Sequence, residues 1–211
     1  MSGTALDIET RQKRLYSLFS TATREASEAM SRWTGGDVSL TLDEVQEISL
    51  DEITEQLELQ EELLTMVVLS IEEEVGGELI LTFDDVNGRR LAASLIGRQP
   101  DFEQAWSALE TSALCETGNI LGCAYLNALA ESVGIDLIPS PPQFIQDYGA
   151  SVLQQALLTQ AMVTDDIMIA RTGFTRGEQE LDWSVFFIPT VPAREAFETM
   201  LVAAPEPKST T

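Results

Sequence analysis

Glu116 and Asn119 are a carboxylate and a carboxamide three residues apart. On a helix that spacing puts them on one face, about a turn from each other. A carboxamide can accept from and donate to a single water, and so fix its orientation while staying neutral. A carboxylate beside it can pair with a cation. At about 100° per residue, Ser112, Glu116, Asn119, Cys123 and Asn127 fall in one narrow stripe, with Leu114, Leu121, Tyr125, Ala128 and Leu129 opposite as a core face. Polar pairs of this kind are also common on helices that are merely solvated. Gly118 and Gly122 set this stretch apart, since each costs about 1 kcal/mol against Ala inside a helix. They leave the helix surface low, so that another backbone can approach: a partner's, or that of the protein's own sheet.

Other chemistries are excluded. The chain has no His, which removes Ser-His-Asp and Cys-His nucleophiles and most zinc sites. Cys115 and Cys123 lie eight residues apart on the same helix, about 12 Å along its axis and too far for a disulfide. With Glu116 beside them and no activating cation nearby in sequence, both thiols read as small and reduced.

The elements that must hold this helix follow from periodicity. Leu15, Phe19, Ala22, Ala26, Ala29 and Trp33 give residues 5–33 a helical apolar face, stopped by Gly35 and Gly36. Residues 37–48 alternate as a strand. Ser49 with Glu52 signals a short helix to about residue 57. Residues 63–71 and 79–83 form a hairpin across Gly76 and Gly77, and a short helix spans 87–96. Pro100 marks a helix start, so the helix carrying the pair is expected over 101–133, ended by Gly134. A strand follows over 135–139, broken by Pro139, Pro141 and Pro142. Residues 148–159 read as a helix, 167–174 and 183–188 as a second hairpin, and 192–202 as a last helix, with 203–211 a disordered tail.

The halves repeat. Glu28-Ala29-Met30-Ser31 before Gly35 matches Asn127-Ala128-Leu129-Ala130 before Gly134, 99 residues on. Asp85-Val86-Asn87-Gly88-Arg89 matches Thr190-Val191-Pro192-Ala193-Arg194, 105 residues on. This suggests one domain over 1–202 made of two repeats, about 10–98 and 101–202, related by a pseudo-twofold. The fold class is α/β in the α+β sense, a largely antiparallel sheet with two long helices packed on it. In the repeat, Glu116 corresponds to Ser17, Asn119 to Ser20, Ser112 to Lys13 and Pro142 to Asp43, so the first half lacks the polar pair.

The net charge is −23, from 35 acids and 12 bases. Nucleic acid and anionic membranes want a basic face and are poor partners for such a chain. Between Asp43 and Asp85 there are 15 acids and no Lys or Arg; such runs are usually solubilising faces, and a steering patch for a basic partner is the alternative. No apolar run reaches the roughly 20 residues of a membrane span. The polar, acid-bearing N-terminus does not read as a signal peptide, so a cytoplasmic location is expected.

Ser112, Glu116 four residues on, Asn119 three further, then Pro142 after 22 intervening residues resemble the CheC/CheX/FliY phosphatases of chemotaxis. Their signature is Asp or Ser, three residues, Glu, two residues, Asn, 22 residues, Pro. Glu116 to Leu121 and Tyr125 to Ala130 also look like CheC, and the two-half organisation extends the likeness over roughly residues 10–202. The resemblance implies a phosphatase that removes the aspartyl phosphate of a CheY-like response regulator, with Mg²⁺ on the regulator and no cofactor of its own. Asn119 would orient the attacking water, and Glu116 would pair with a regulator lysine. An acyl phosphate is already activated, and its loose transition state asks for a positioned nucleophile more than for a strong base. Ser112, Cys123, Asn127 and Pro142 would support the motif or the docking surface. CheC itself carries the pair in both halves, so Ser17 and Ser20 mark a degenerate first site. CheC also binds the deamidase CheD, a further candidate partner. A non-catalytic adaptor for a receiver or CheD stays open as the alternative; a FliY-type switch component is less expected, since that type normally adds a C-terminal FliN-like domain and the sequence stops at Thr211.

Overall fold

The computed structural model describes residues 7–36, 38–49, 52, 63–71, 75–157, 165–176 and 178–203. Helix α1 (Ile8–Thr34) starts at Asp7, whose carboxylate accepts from the Thr10 N–H at 3.0 Å, and stops at Gly35, left-handed at φ 77°. Strands β1 (Ser39–Ser49), β2 (Leu63–Ile71) and β3 (Gly77–Asp84) follow, then α2 (Asp85–Leu95) and α3 (Ala108–Val133). The chain continues with β4 (Gln143–Tyr148), α4 (Gly149–Leu157), β5 (Asp166–Arg176), β6 (Gln179–Pro189) and α5 (Val191–Ala203).

The six strands form one sheet in the order β1-β5-β6-β3-β2-β4, antiparallel at every pairing. Read from its two edges inward, that order exchanges β1 with β4, β5 with β2 and β6 with β3, so a pseudo-twofold passes between the central pair. Gly35 and Gly134, 99 residues apart, close α1 and α3 with nearly the same left-handed backbone, φ 77° and 73°. This is the α+β architecture expected from the hydrophobic pattern.

Both long helices lie on one face of the sheet and pack on each other. Leu15, Phe19, Ala22 and Met30 of α1 and Leu114, Leu121, Tyr125 and Leu129 of α3 are buried against Leu69, Leu79, Leu81 and Phe187. Each Leu, Phe or Met among them contributes on the order of 2 kcal/mol by leaving water. The opposite face carries a smaller cluster, Ile48, Met66, Ile80, Ile167, Phe186 and Ile188, covered in part by Val152 and Leu157 of α4.

Two expectations need correction. The helix carrying the pair begins at Ala108, not at residue 101. The Asp101 carboxylate accepts from the Glu103 and Gln104 N–H groups at 3.0 and 3.3 Å, a local turn that competes with helix. The Arg89 guanidinium donates to the Asp101 carbonyl at 3.0 Å and stacks 4.5 Å from the centre of the Trp106 ring, pinning residues 101–107 as a loop. The true start is a capping box: Ser107 and Glu110 satisfy each other's backbone N–H groups. The strand expected over 135–139 is also displaced. Only Pro139 bridges there, to Ile71, and the strand proper is β4, beginning after Pro142. Prolines cannot donate to a ladder, so pairing resumes once Pro139, Pro141 and Pro142 are past. Most of the short helix expected after Ser49, the end of the helix expected over 148–159, and the tail over 204–211 lie outside the described residues.

Candidate functional site

The site is built on α3, anchored at its first turn. Glu110 is buried, and the hydrogen bonds from the Ser107 hydroxyl and backbone hold its carboxyl below the usual carboxylate range. Leu114, Leu121, Tyr125, Leu126 and Leu129 are all buried, which fixes the helix's rotation about its axis. That rotation leaves Ser112, Glu116 and Asn127 exposed and Asn119 and Cys123 half-buried. The stripe read from the sequence is therefore a real face, graded from open to partly covered.

The two helix glycines face inward. A methyl group on Gly118 would lie 2.5 Å from Cγ1 and 3.1 Å from Cβ of Val67, and one on Gly122 2.9 Å from Leu69 Cδ2 and 3.3 Å from Leu79 Cδ2. Of the two roles open to them, close seating on the protein's own sheet is the one they fill. Val67 also pairs with Phe144 of β4, and Phe144 packs on Trp106 with ring centroids 5.3 Å apart. Pro142, half-buried just before β4, is thus linked to the pair indirectly, through β4, β2 and the glycine seat.

Between Glu116 and Gly118 sits a residue the sequence reading passed over. Thr117 is fully buried; its hydroxyl donates to the Ala113 carbonyl at 2.9 Å and accepts from the Trp33 indole N–H at 3.1 Å. The end of α1 is tied in this way to the turn of α3 that carries the pair. A Thr off the polar stripe, between the stripe and the apolar core face of α3, was the available signal.

Polar contacts at the face are few. The Cys123 thiol donates to Asn119 Oδ1 at 3.6 Å. Burial pushes the Cys123 thiol up from its ordinary value, and the charge of Glu116 adds to the effect; burial alone does the same for Cys115. Both cysteines are free thiols and, kept protonated, poor nucleophiles. Among the described residues, no group of three or more His, Cys, Asp or Glu could hold a metal ion, and no helix is long and apolar enough to cross a membrane.

The equivalent face of α1 differs in kind. Ser17 and Ser20 are exposed, and Ser20 lines an open cleft of about 600 Å³ between α1 and β1 with Tyr16, Arg24, Ser27 and Arg32. Where α3 has Cys123 and Asn127, α1 has Arg24 and Glu28, which pair with each other at 3.4 Å, while Arg24 also meets Glu25 at 2.9 Å. The α1 face is crosslinked by its own charges; between Ser112 and Asn127, the α3 face carries one exposed charge, Glu116.

Residues 109–145 match the CheC-like family, a span holding Ser112, Glu116, Asn119, Cys123, Asn127 and Pro142. The CheY-P phosphatase CheC of Bacillus subtilis (strain 168) is 25% identical over 183 residues, covering 84% of this chain and 86% of that protein. The X-ray structure of Thermotoga maritima FliY superposes with a TM-score of 0.68 at 18% identity, over 95% of this chain and 99% of that one. A chain of the CheX-CheY-BeF₃-Mg²⁺ complex from Borrelia burgdorferi gives 0.55 at 16% identity, over 82% of this chain and 96% of that one. The family match spans α3 and the start of β4, with the exposed face between Ser112 and Asn127 inside it, and the fold is shared with the Thermotoga maritima protein along nearly the whole chain.

Proposed function

We propose that this protein hydrolyses the aspartyl phosphate of a CheY-like receiver domain, with Asn119 orienting the attacking water and Glu116 pairing with a cation on the receiver. The observation that carries the reading is the α3 face itself: a single exposed carboxylate and, one turn on, a half-buried carboxamide, on a surface otherwise free of charge between Ser112 and Asn127. A carboxamide reaching into a phosphorylated site can hold water in line without repelling the phosphoryl oxygens. A carboxylate free of its own ion pairs can dock against a lysine, and the bond strengthens as water leaves. The relative in Bacillus subtilis is named a CheY-P phosphatase, and the Borrelia burgdorferi structure holds CheX with CheY, BeF₃ and Mg²⁺; both support a receiver as the partner. On this reading the protein needs no cofactor of its own, Mg²⁺ rides on the receiver, the location is cytoplasmic, and the two repeats act as one domain with one working face.

The test is direct. A receiver is phosphorylated, the protein is added, and phosphate decay is followed. Wild type should accelerate decay, and Asn119→Ala should remove most of that acceleration. Equal decay with both, or no acceleration by wild type, would sink the reading.

A second reading is favoured by the face of α1, which carries its own ion pairs where α3 has the Glu116 and Asn119 pair: a binding protein for a receiver or for CheD that no longer hydrolyses anything. It makes the opposite forecast, saturable receiver binding by wild type with no change in phosphate lifetime.

A further inference from the structure

We infer that Cys123 is a positioning residue that holds the Asn119 carboxamide in a single orientation. The inference rests on the reading of Asn119 as the group that orients water. Cys123 follows Asn119 by one helical turn on the same face, and its thiol donates to Asn119 Oδ1 at 3.6 Å. An asparagine amide rotates in a broad, nearly two-fold well, so a solvated Asn presents oxygen and nitrogen almost at random. A weak donor fixed on one side is enough to bias that choice. The carbonyl oxygen has two lone pairs; the thiol takes one, the other remains for a water, and Nδ2 turns outward.

The bonding habit of this chain makes the contact distinctive. Helix hydroxyls at Thr21, Thr117 and Ser132 each turn back to the backbone carbonyl four residues earlier, at 2.8 to 3.1 Å. The thiol of Cys123 reaches instead the side chain of the residue four earlier. Half-burial and the neighbouring Glu116 charge keep the thiol proton in place near neutral pH, so the donor persists. On α1 the equivalent positions are Ser20 and Arg24, and Arg24 is committed to Glu25 and Glu28; that half has neither the carboxamide nor a donor to hold one.

Two readouts test this. In the free protein, the Asn119 side-chain ¹⁵N–¹H₂ order parameter should be high in wild type and Cys115→Ala and should drop in Cys123→Ala. In the phosphatase assay, Cys123→Ala should lower kcat about three- to fivefold with KM unchanged, and it should have no further effect in an Asn119→Ala background. Unchanged amide order in Cys123→Ala, a loss that appears in KM, or an effect that persists without Asn119 overturns the inference. If wild type fails to hydrolyse the receiver phosphate, the proposed function falls, and the amide order still decides whether Cys123 orients Asn119.

Discussion

The indole N–H of Trp33, at the end of α1, donates to the buried hydroxyl of Thr117, the residue between Glu116 and Gly118, at 3.1 Å. Thr117→Val keeps the shape and removes the acceptor, leaving an indole N–H without its partner. The loss should be about 1–2 kcal/mol, read as a lower urea midpoint with an unchanged slope. Phosphatase activity should fall more than stability alone explains, because the same turn carries the proposed working pair.

Gly118 and Gly122 should respond unequally to Ala. Helix propensity alone would favour both substitutions by about 1 kcal/mol each. At Gly118 the new methyl meets the Cβ of Val67, which cannot swing away, as well as Cγ1; overpacking of that kind costs about 1–3 kcal/mol. At Gly122 the nearest atoms are the far ends of Leu69 and Leu79, which can rotate. Gly118→Ala should therefore lower Tm, Gly122→Ala should lower it less or leave it unchanged, and Val67→Ala should partly rescue Gly118→Ala.

Glu116 and the sister serines separate docking from bystander roles. Glu116→Gln should raise the receiver concentration at half-maximal rate by about tenfold, the scale of one charged hydrogen bond. The wild-type advantage should shrink as salt is added. Ser17→Ala with Ser20→Ala should leave the rate near wild type; a large loss would mean that the first half works after all.

The capping box makes a pH forecast. The Glu110 carboxyl titrates below the ordinary 4.5 of a glutamate because Ser107 donates to it. Its contribution to stability is thus fully present above that value and disappears as the pH falls through the lower folded pKa. Ser107→Ala should destabilise the protein by about 1 kcal/mol near neutral pH. The gap between variant and wild type in denaturation midpoint should narrow as the pH drops below 4.5, leaving the share owed to the Glu110 N–H that Ser107 Oγ accepts from at any pH.

Asp85 gathers three donors: Arg89 Nε at 2.9 Å, Trp106 Nε1 at 3.1 Å and Gln146 Nε2 at 3.1 Å. Arg89 is buried, so Asp85→Ala strands its charge and should cost about 3 kcal/mol. In the other half the corresponding arginine, Arg194, meets the exposed Glu47 at 3.7 Å, and Arg11, which holds the same carboxylate at 2.9 Å, keeps a second partner in Glu198. Glu47→Ala should cost about 1 kcal/mol or less, a contrast that parallel denaturation curves would display.

The parts of the fold that sequence made legible are those set by burial period and by glycine. Leu114, Leu121, Tyr125 and Leu129 gave the rotation of α3, and Gly35 and Gly134 its end and that of α1. The start of α3 was hidden because Pro100 has the chemistry of a first helical residue, while the stronger pair, Ser107 and Glu110, lay inside the expected helix. The apolar run at Ile135, Leu137 and Ile138 imitated a strand; only the need for donors, which Pro139, Pro141 and Pro142 lack, moves pairing to β4. Gly118 and Gly122 were visible as an anomaly, but what they face depends on Val67 and Leu69, some fifty residues earlier in the chain. The Trp33–Thr117 bond was illegible for the same reason: nothing in either helix alone shows that their flanks meet.

The interleaved strand order has a consequence for how the chain is made. Among the described residues β1 has its ladder partner only in β5, and the hydroxyl pair Ser39–Thr175 joins residues 136 apart in sequence. As the protein leaves the ribosome, β1 emerges with an unpaired edge and must wait for most of the remaining chain before it can close. A fragment ending after α2 would carry β1 without the strand that completes it, so neither repeat should refold alone. Pairings of such span slow folding, and the acidic residues of β1, Asp43, Glu44 and Glu47, are well placed to keep that waiting strand from joining its neighbours on other chains.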